Sequence, residues 1–134
     1  MSVNRRIDTV GRTVWTKGST TAALFHPSIG PMRTAGMKYV RFSRWELRGD
    51  TGDIEVAPAF QVAGDDDESL WASATAVAVG SYQSGDAVTT NTSFTDISAS
   101  LTARLVRFGW LARNKSGTDI HQCRVGGNAD LREG

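Results

Sequence analysis

Histidine, cysteine, serine and clustered acids are the side chains with which a small domain does chemistry, and this sequence holds few of them in a useful spacing. The two histidines are His26, within Phe25-His26-Pro27-Ser28-Ile29-Gly30-Pro31, and His121. Cys123, the one cysteine, stands two residues from His121, which puts both on the same face of a strand. A thiolate nucleophile also needs an oriented base and an oxyanion site, and nothing near Cys123 supplies the Gly-rich turn chemistry for one. The pair reads as a small buried thiol beside a surface histidine. Gly80-Ser81-Tyr82-Gln83-Ser84-Gly85 holds serine and glycine without the G-x-S-x-G order of a nucleophile elbow. No catalytic residue is assigned, and the expectation is a protein without enzymatic activity.

Asp65-Asp66-Asp67-Glu68 is the strongest candidate for holding a cation, since calcium takes several carboxylate and carbonyl oxygens. Its spacing is not that of an EF-hand, and four consecutive acids in a turn mostly point apart into water. The stretch reads as a solvated loop; no metal site and no cofactor are expected. Four tryptophans could line a sugar-binding platform: Trp15, Trp45, Trp71 and Trp110. The last three sit in alternating apolar patterns that favour core packing, whereas Trp15 reads as exposed or interfacial. A carbohydrate-binding module is the alternative function, and it requires Tyr82 to lie near Trp71 or Trp15.

The elements that must position these residues are strands. The 134 residues are 40% hydrophobic and 22% charged, which suits one globular domain. With 14 Gly, three Pro and many Ser and Thr, the chain suggests short strands joined by tight loops. It holds no apolar run long enough for a membrane helix, and no apolar stretch follows Met1–Arg6 as a cleaved secretion signal requires. Ile54, Val56, Pro58, Phe60 and Val62 alternate with Asp53, Glu55, Ala57, Ala59 and Gln61, and Pro58 there argues for an edge strand or a bulge. In Met37–Leu47 the phase flips between Phe42 and Trp45, which a bulge near Ser43 would explain. Leu105–Asn114 is the strongest strand, with Val106, Phe108, Trp110 and Ala112 on one face and Arg107, Gly109, Leu111 and Arg113 on the other. Trp71–Val79 alternates as a strand with four alanines on one face. Ile97, Leu101 and Leu105 allow a single helical turn.

Gly49-Asp50-Thr51-Gly52 and Asn114-Lys115-Ser116-Gly117 read as hairpin turns, the second followed by a returning strand at His121–Val125 and a final short strand at Asn128–Arg132. Residues 1–36 are weakly patterned: an edge strand over Thr9–Thr16, then a stretch that is loop-like throughout. The expected architecture is all-β, an antiparallel, jelly-roll-like β-sandwich at 37–134 preceded by an extended N-terminal arm at 1–36.

Charge is segregated along the chain. Residues 1–52 sum to +6, residues 53–102 to −8 with no Lys or Arg, and residues 103–134 to +3, which returns the net +1. Such blocks either pair across strands of one sheet or leave basic and acidic regions that meet on neighbouring molecules. The cations are twelve Arg and three Lys, a bias found at protein interfaces. A sequence pI near 7.9 argues against a nucleic-acid partner.

The texture of Phe94–Ile97 and Leu105–Gly117, with Arg41-Phe42, Trp45-Glu46-Leu47, Pro58–Val62, the acidic turn and Trp71, resembles the small β-sandwich decoration (cement) proteins of tailed bacteriophages, over about 37–132. That resemblance implies a structural virion protein made in the bacterial host cytoplasm. It implies a homotrimer bound to a major capsid protein on the outside of the shell, with neither nucleic acid nor membrane as partner. An N-terminal arm of such a protein clasps the shell or a sister subunit, which makes Arg5, Arg6 and Arg12, with Trp15, the contact candidates. Another head or tail accessory protein of the same fold is the remaining alternative.

Overall fold

The computed structural model describes residues 4–8, 12–18, 22–49, 52–86 and 88–133. In chain order the strands are β1 (Asn4–Asp8), β2 (Arg12–Trp15), β3 (Leu24–Arg33), β4 (Met37–Gly49) and β5 (Ile54–Ala63). A short helix, α1 (Glu68–Ser73), follows, then β6 (Val77–Ala78), β7 (Val88–Thr90), β8 (Thr95–Asp96), a 3₁₀ turn at Ser98–Ser100, β9 (Leu105–Asn114) and β10 (Gln122–Glu133).

Two antiparallel sheets face each other. The first runs β1-β10-β4-β7, with β2 continuing β1 along the same edge of β10 and β8 continuing β7 along β4. The second runs β3-β9-β5-β6. Taken as rows, the order is β2-β10-β4-β7 over β3-β9-β5-β6, and the long strands β3, β4, β5, β9 and β10 are all paired with partners distant in sequence. This is the strand arrangement of a jelly roll.

The register explains the phase flip in β4. Asn128 pairs with Arg44 and Asp130 with Arg41, so β4 spends one residue more than β10 across Phe42–Ser43. That bulge keeps Val40, Phe42, Trp45 and Leu47 all buried. Pro58 sits opposite Trp110 in β9, yet its carbonyl accepts from Val79 on the β6 side. A residue's N–H and C=O point the same way in a strand, so the donor that proline lacks would have faced away from β9. Beyond β6 and a bridge to Gln83, β5 is the sheet's edge.

The core lies between the sheets. Phe42, Trp45, Phe60, Phe108 and Trp110 form its aromatic centre, with ring centroids of Trp110 at 5.2 Å from Phe42 and 5.4 Å from Trp45. Two glycines permit the closest approaches. A Cβ on Gly109 would lie 2.1 Å from the His26 carbonyl oxygen, and one on Gly127 would lie 2.5 Å from that of Arg44. Backbone occupies the space a side chain would need.

Several local expectations are corrected by the tertiary arrangement. Trp71–Val79 is not a strand: Asp67 caps α1, its side chain accepting from the Ser69 N–H at 2.8 Å, and only Val77–Ala78 joins a sheet. The alternation of alanines there is a coincidence of composition. Neither 49–52 nor 114–117 closes a hairpin, because β4 and β10 lie in one sheet and β5 and β9 in the other; the chain crosses between layers at both places. The two short strands read at the C-terminal end are one continuous β10. Leu24–Arg33 is a strand despite its two prolines, since β3 is an edge strand and pairs with β9 irregularly, with register shifts around Ile29. The segment read as an arm thus places β1 and β2 on the edge of the first sheet and β3 on the edge of the second.

Candidate functional site

The sequence singles out residues that the fold separates. Cys123 is buried opposite Val14 and belongs to the core, while His121 precedes β10, so no thiol–imidazole pair faces a cleft. His26 is buried at the rim between the sheets. Its Nε2 lies 2.8 Å from the Trp15 carbonyl oxygen and 3.3 Å from the Trp15 N–H. One ring nitrogen cannot serve both, and the shorter contact makes it the donor to the carbonyl. Burial holds the imidazole below its usual pKa, which keeps it neutral. It ties β3 to β2 and so spans the two sheets.

The acidic run has structural duties. Asp65 pairs with Arg104 at 3.0 Å, Asp66 accepts from the Trp71 indole N–H at 2.9 Å, and Asp67 caps α1. Hydrogen bonds from Ser69 lower the Asp67 pKa. Among the described residues no group of His, Cys, Asp and Glu has the arrangement to hold a metal ion.

The four contact candidates do not form one patch. In the backbone register Arg5 stands opposite Leu131; its side chain lies outside the described residues. Arg6 donates through Nε to Asp130 at 2.9 Å. Arg12, toward the other end of β10, donates to the Pro27 carbonyl oxygen, and Trp15 is 42% exposed with its ring 4.2 Å from that of His26. Two of the three described side chains are thus engaged within the chain, and Trp15 keeps an open face.

Two other surfaces, the first of them holding the Trp71 and Tyr82 of the carbohydrate alternative, are better organised. The first is a groove of about 560 Å³ on the outer face of the second sheet. Gln61 and Arg107 are cross-strand neighbours there, and Arg107 donates from Nε and Nη2 to Gln61 Oε1 at 2.9 and 2.7 Å. Gln61 in turn donates to the Ala74 carbonyl oxygen at 3.0 Å, and the Arg107 guanidinium lies 4.5 Å from the Trp71 ring. Tyr82 lines the same groove, stacked at 3.7 Å on Arg113, which pairs with Glu55. Trp71 and Tyr82 therefore come together as a sugar platform would need. However, Trp71 is only 4% exposed, with its N–H spent on Asp66 and its ring under Arg107. The arrangement docks α1 onto the sheet.

The second surface is the outer face of the first sheet. Asp130, buried, accepts from Arg6 and from Arg41, the latter at 2.8 Å and 3.0 Å. Those hydrogen bonds, Arg6 first, hold its carboxyl below the usual range. Arg41 and Arg132 flank Phe94 at 4.3 and 4.7 Å, and Arg132 also stacks on Tyr39. Toward the other end of the face, Arg44 and Arg48 both reach the same oxygen of Glu46, at 3.4 and 3.3 Å, and Arg48 stands directly opposite Arg124. Strand alternation could have placed these arginines on one face; the pairing of β4 with β10 that joins them could not be read. Charge blocks distant in sequence do pair, in Glu55–Arg113, Asp65–Arg104 and Lys38–Asp96.

The fold and these surfaces define a class: a jelly-roll sandwich whose organised exterior consists of charged and aromatic sheet faces. No protein-family model and no curated protein matches the sequence. Solved structures share the fold. This chain is similar to a chain of T=1 particles derived from infectious bursal virus, with a TM-score of 0.60 and 8% identity, covering 98% of this chain and 32% of that one. The Gt strain of infectious bursal disease virus gives 0.61 at 8% identity over the same shares, and the VP2 subviral particle of that virus gives 0.53 at 7%. At these identities the likeness is one of fold. The chain spans about a third of the length of those viral chains.

Proposed function

We propose that this chain is a structural virion protein, a jelly-roll unit of a viral particle that associates with copies of itself. The observation that carries the reading is the shared fold along 98% of the chain with proteins of virus-derived particles. Fold alone does not assign function, so the surfaces matter. Arginine prevails over lysine on the sheet faces, and planar guanidinium groups stacked on Tyr39, Phe94 and Tyr82 suit protein contacts.

Within that reading, the resemblance to tailed-phage decoration proteins supports a place on the outside of a shell. There the protein would reinforce a lattice of major capsid protein as a homotrimer, with Trp15 at a contact. The test is light scattering and electron microscopy of the purified protein, followed by co-sedimentation with shells that lack it. Multimers that bind shells in stoichiometric number support the proposal. A strict monomer that leaves shells bare overturns it.

A further inference from the structure

Arg48 and Arg124 face each other directly across β4 and β10, an arrangement that costs stability because like charges oppose. The nearest relief is Glu46, and it is already shared: Arg44 and Arg48 both approach its Oε2. The Arg124 side chain has no hydrogen bond or ion pair among the described residues and is exposed. Opposite Glu46 stands Gly126, whose missing side chain opens a cleft of about 260 Å³ lined by Glu46, Arg48, Arg124, Val125 and Gly126. Two guanidinium groups, Arg44 and Arg48, thus share one carboxylate, while Arg48 and Arg124 line a space of the size for a few more side-chain atoms. The sheet holds excess positive charge where its own fold gains nothing from it.

The complementary feature is the Asp65–Glu68 loop. Its residues are exposed, and its shape is fixed by the Asp67 cap and the Asp66–Trp71 bond. Asp65 and Asp66 each bond through a single carboxylate oxygen, Oδ1, and Glu68 stands at the start of α1. The two features lie at diagonally opposite corners. Arg48 and Arg124 are on the first sheet at the end marked by Gly49 and Cys123, which the chain leaves toward Ile54 and Asn114 of the second. The loop follows Ala63, at the other end of the second sheet, where Arg104 clamps Gly64 and Asp65.

Resting on the proposed self-association, we infer that the Arg48–Arg124 cleft receives the Asp65–Glu68 loop of a second copy of this chain. Corners on opposite faces and opposite ends cannot satisfy each other twice in one two-fold dimer. The contact is therefore heterologous, and it builds rings or an open lattice. Guanidinium–carboxylate pairing supplies the recognition, and the rigid loop loses little freedom on docking.

The experiment is a charge exchange read by sedimentation velocity and light scattering, with circular dichroism to confirm folding. One variant carries Arg48→Glu and Arg124→Glu, the other Asp65→Lys and Glu68→Lys. Each alone is expected to associate more weakly than the wild type, roughly tenfold for two lost pairs. An equimolar mixture regains association, because each variant then meets its complement. Added salt weakens the wild-type contact and that of the mixture alike. Wild-type multimers that persist unchanged in both variants overturn the inference and leave the self-association reading standing; a monomeric wild type overturns both. A mixture that stays dissociated, or a single-stranded oligonucleotide that dissociates the wild-type multimers by taking the cleft in preference to the acidic loop, also overturns the inference.

Discussion

Replacing Asp130 tests how the outer face of the first sheet holds the N-terminal strand. The carboxylate is buried and accepts from Arg6 at 2.9 Å and from Arg41 at 2.8 and 3.0 Å. Hydrogen bonds to charged groups contribute about 1.5–3 kcal/mol each when shielded and far less when exposed. Arg6 is 58% exposed, so its bond is discounted to about 0.5 kcal/mol. Arg41, at 26%, retains most of its value, although both its bonds fall on one oxygen. Asp130→Ala should therefore cost about 2–3 kcal/mol, a fall in Tm of roughly 4 °C per kcal/mol for a chain of this size. Asp130→Asn keeps the shape and one acceptor and should cost about half as much.

The pH dependence separates charge from packing. The native pKa of Asp130 lies below its ordinary 3.8, chiefly through the Arg6 hydrogen bond and then that of Arg41. Its contribution is full above 3.8 and is lost as pH falls through the lowered native value. Urea denaturation at neutral and acid pH should show the gap between wild type and Asp130→Asn closing in acid. Hydrogen exchange should show the β1 amides opening earlier in Asp130→Ala. An Asp130→Ala protein within about 0.5 kcal/mol of wild type, or a gap that stays constant in acid, refutes the reasoning.

Other outcomes follow from the packing. Gly109→Ala drives a methyl into the His26 carbonyl and the Pro27 Cα, backbone that cannot turn aside, and should cost about 3 kcal/mol or more in chemical denaturation. His26, held neutral by burial, stabilises the fold above its unfolded value of 6.5, and this contribution disappears as pH falls below it. Denaturation midpoints should drop through that range in the wild type and flatten in His26→Gln. Trp71→Phe removes the indole bond to Asp66 and should cost about 1–2 kcal/mol, with a loss of α1 ellipticity as the check. Trp15→Ala, at an exposed site, should leave stability within about 1 kcal/mol of wild type and weaken shell binding if Trp15 is the contact.

Local physics made much of the fold legible. Period-two alternation marked β5 and β9, and the displaced phase of Phe42 and Trp45 marked the bulge, whereas Pro58 lies between β9 and the short β6 rather than at the sheet's edge. Those signals live within one strand and need no partner. Where a competing local signal existed, alternation misled: in 71–79 the Asp67 cap directed the chain into α1 before a strand could start. The two Gly-rich turns were read as hairpins because a turn sequence fixes reversal of direction but not which sheet receives the next strand.

The sequence by itself determined the class of structure, the inward-facing residues of β4, β5 and β9 and the thin supply of catalytic groups, because side-chain period and residue chemistry are properties of the chain. Only the tertiary structure decided the contacts. Arg48 meets Arg124, Asp130 gathers Arg6 and Arg41, and Gln61 holds Arg107 through pairings between residues 46 to 124 positions apart. Strand order selects those neighbours, and strand order arises from burying two whole sheet faces at once, a requirement that no single segment encodes.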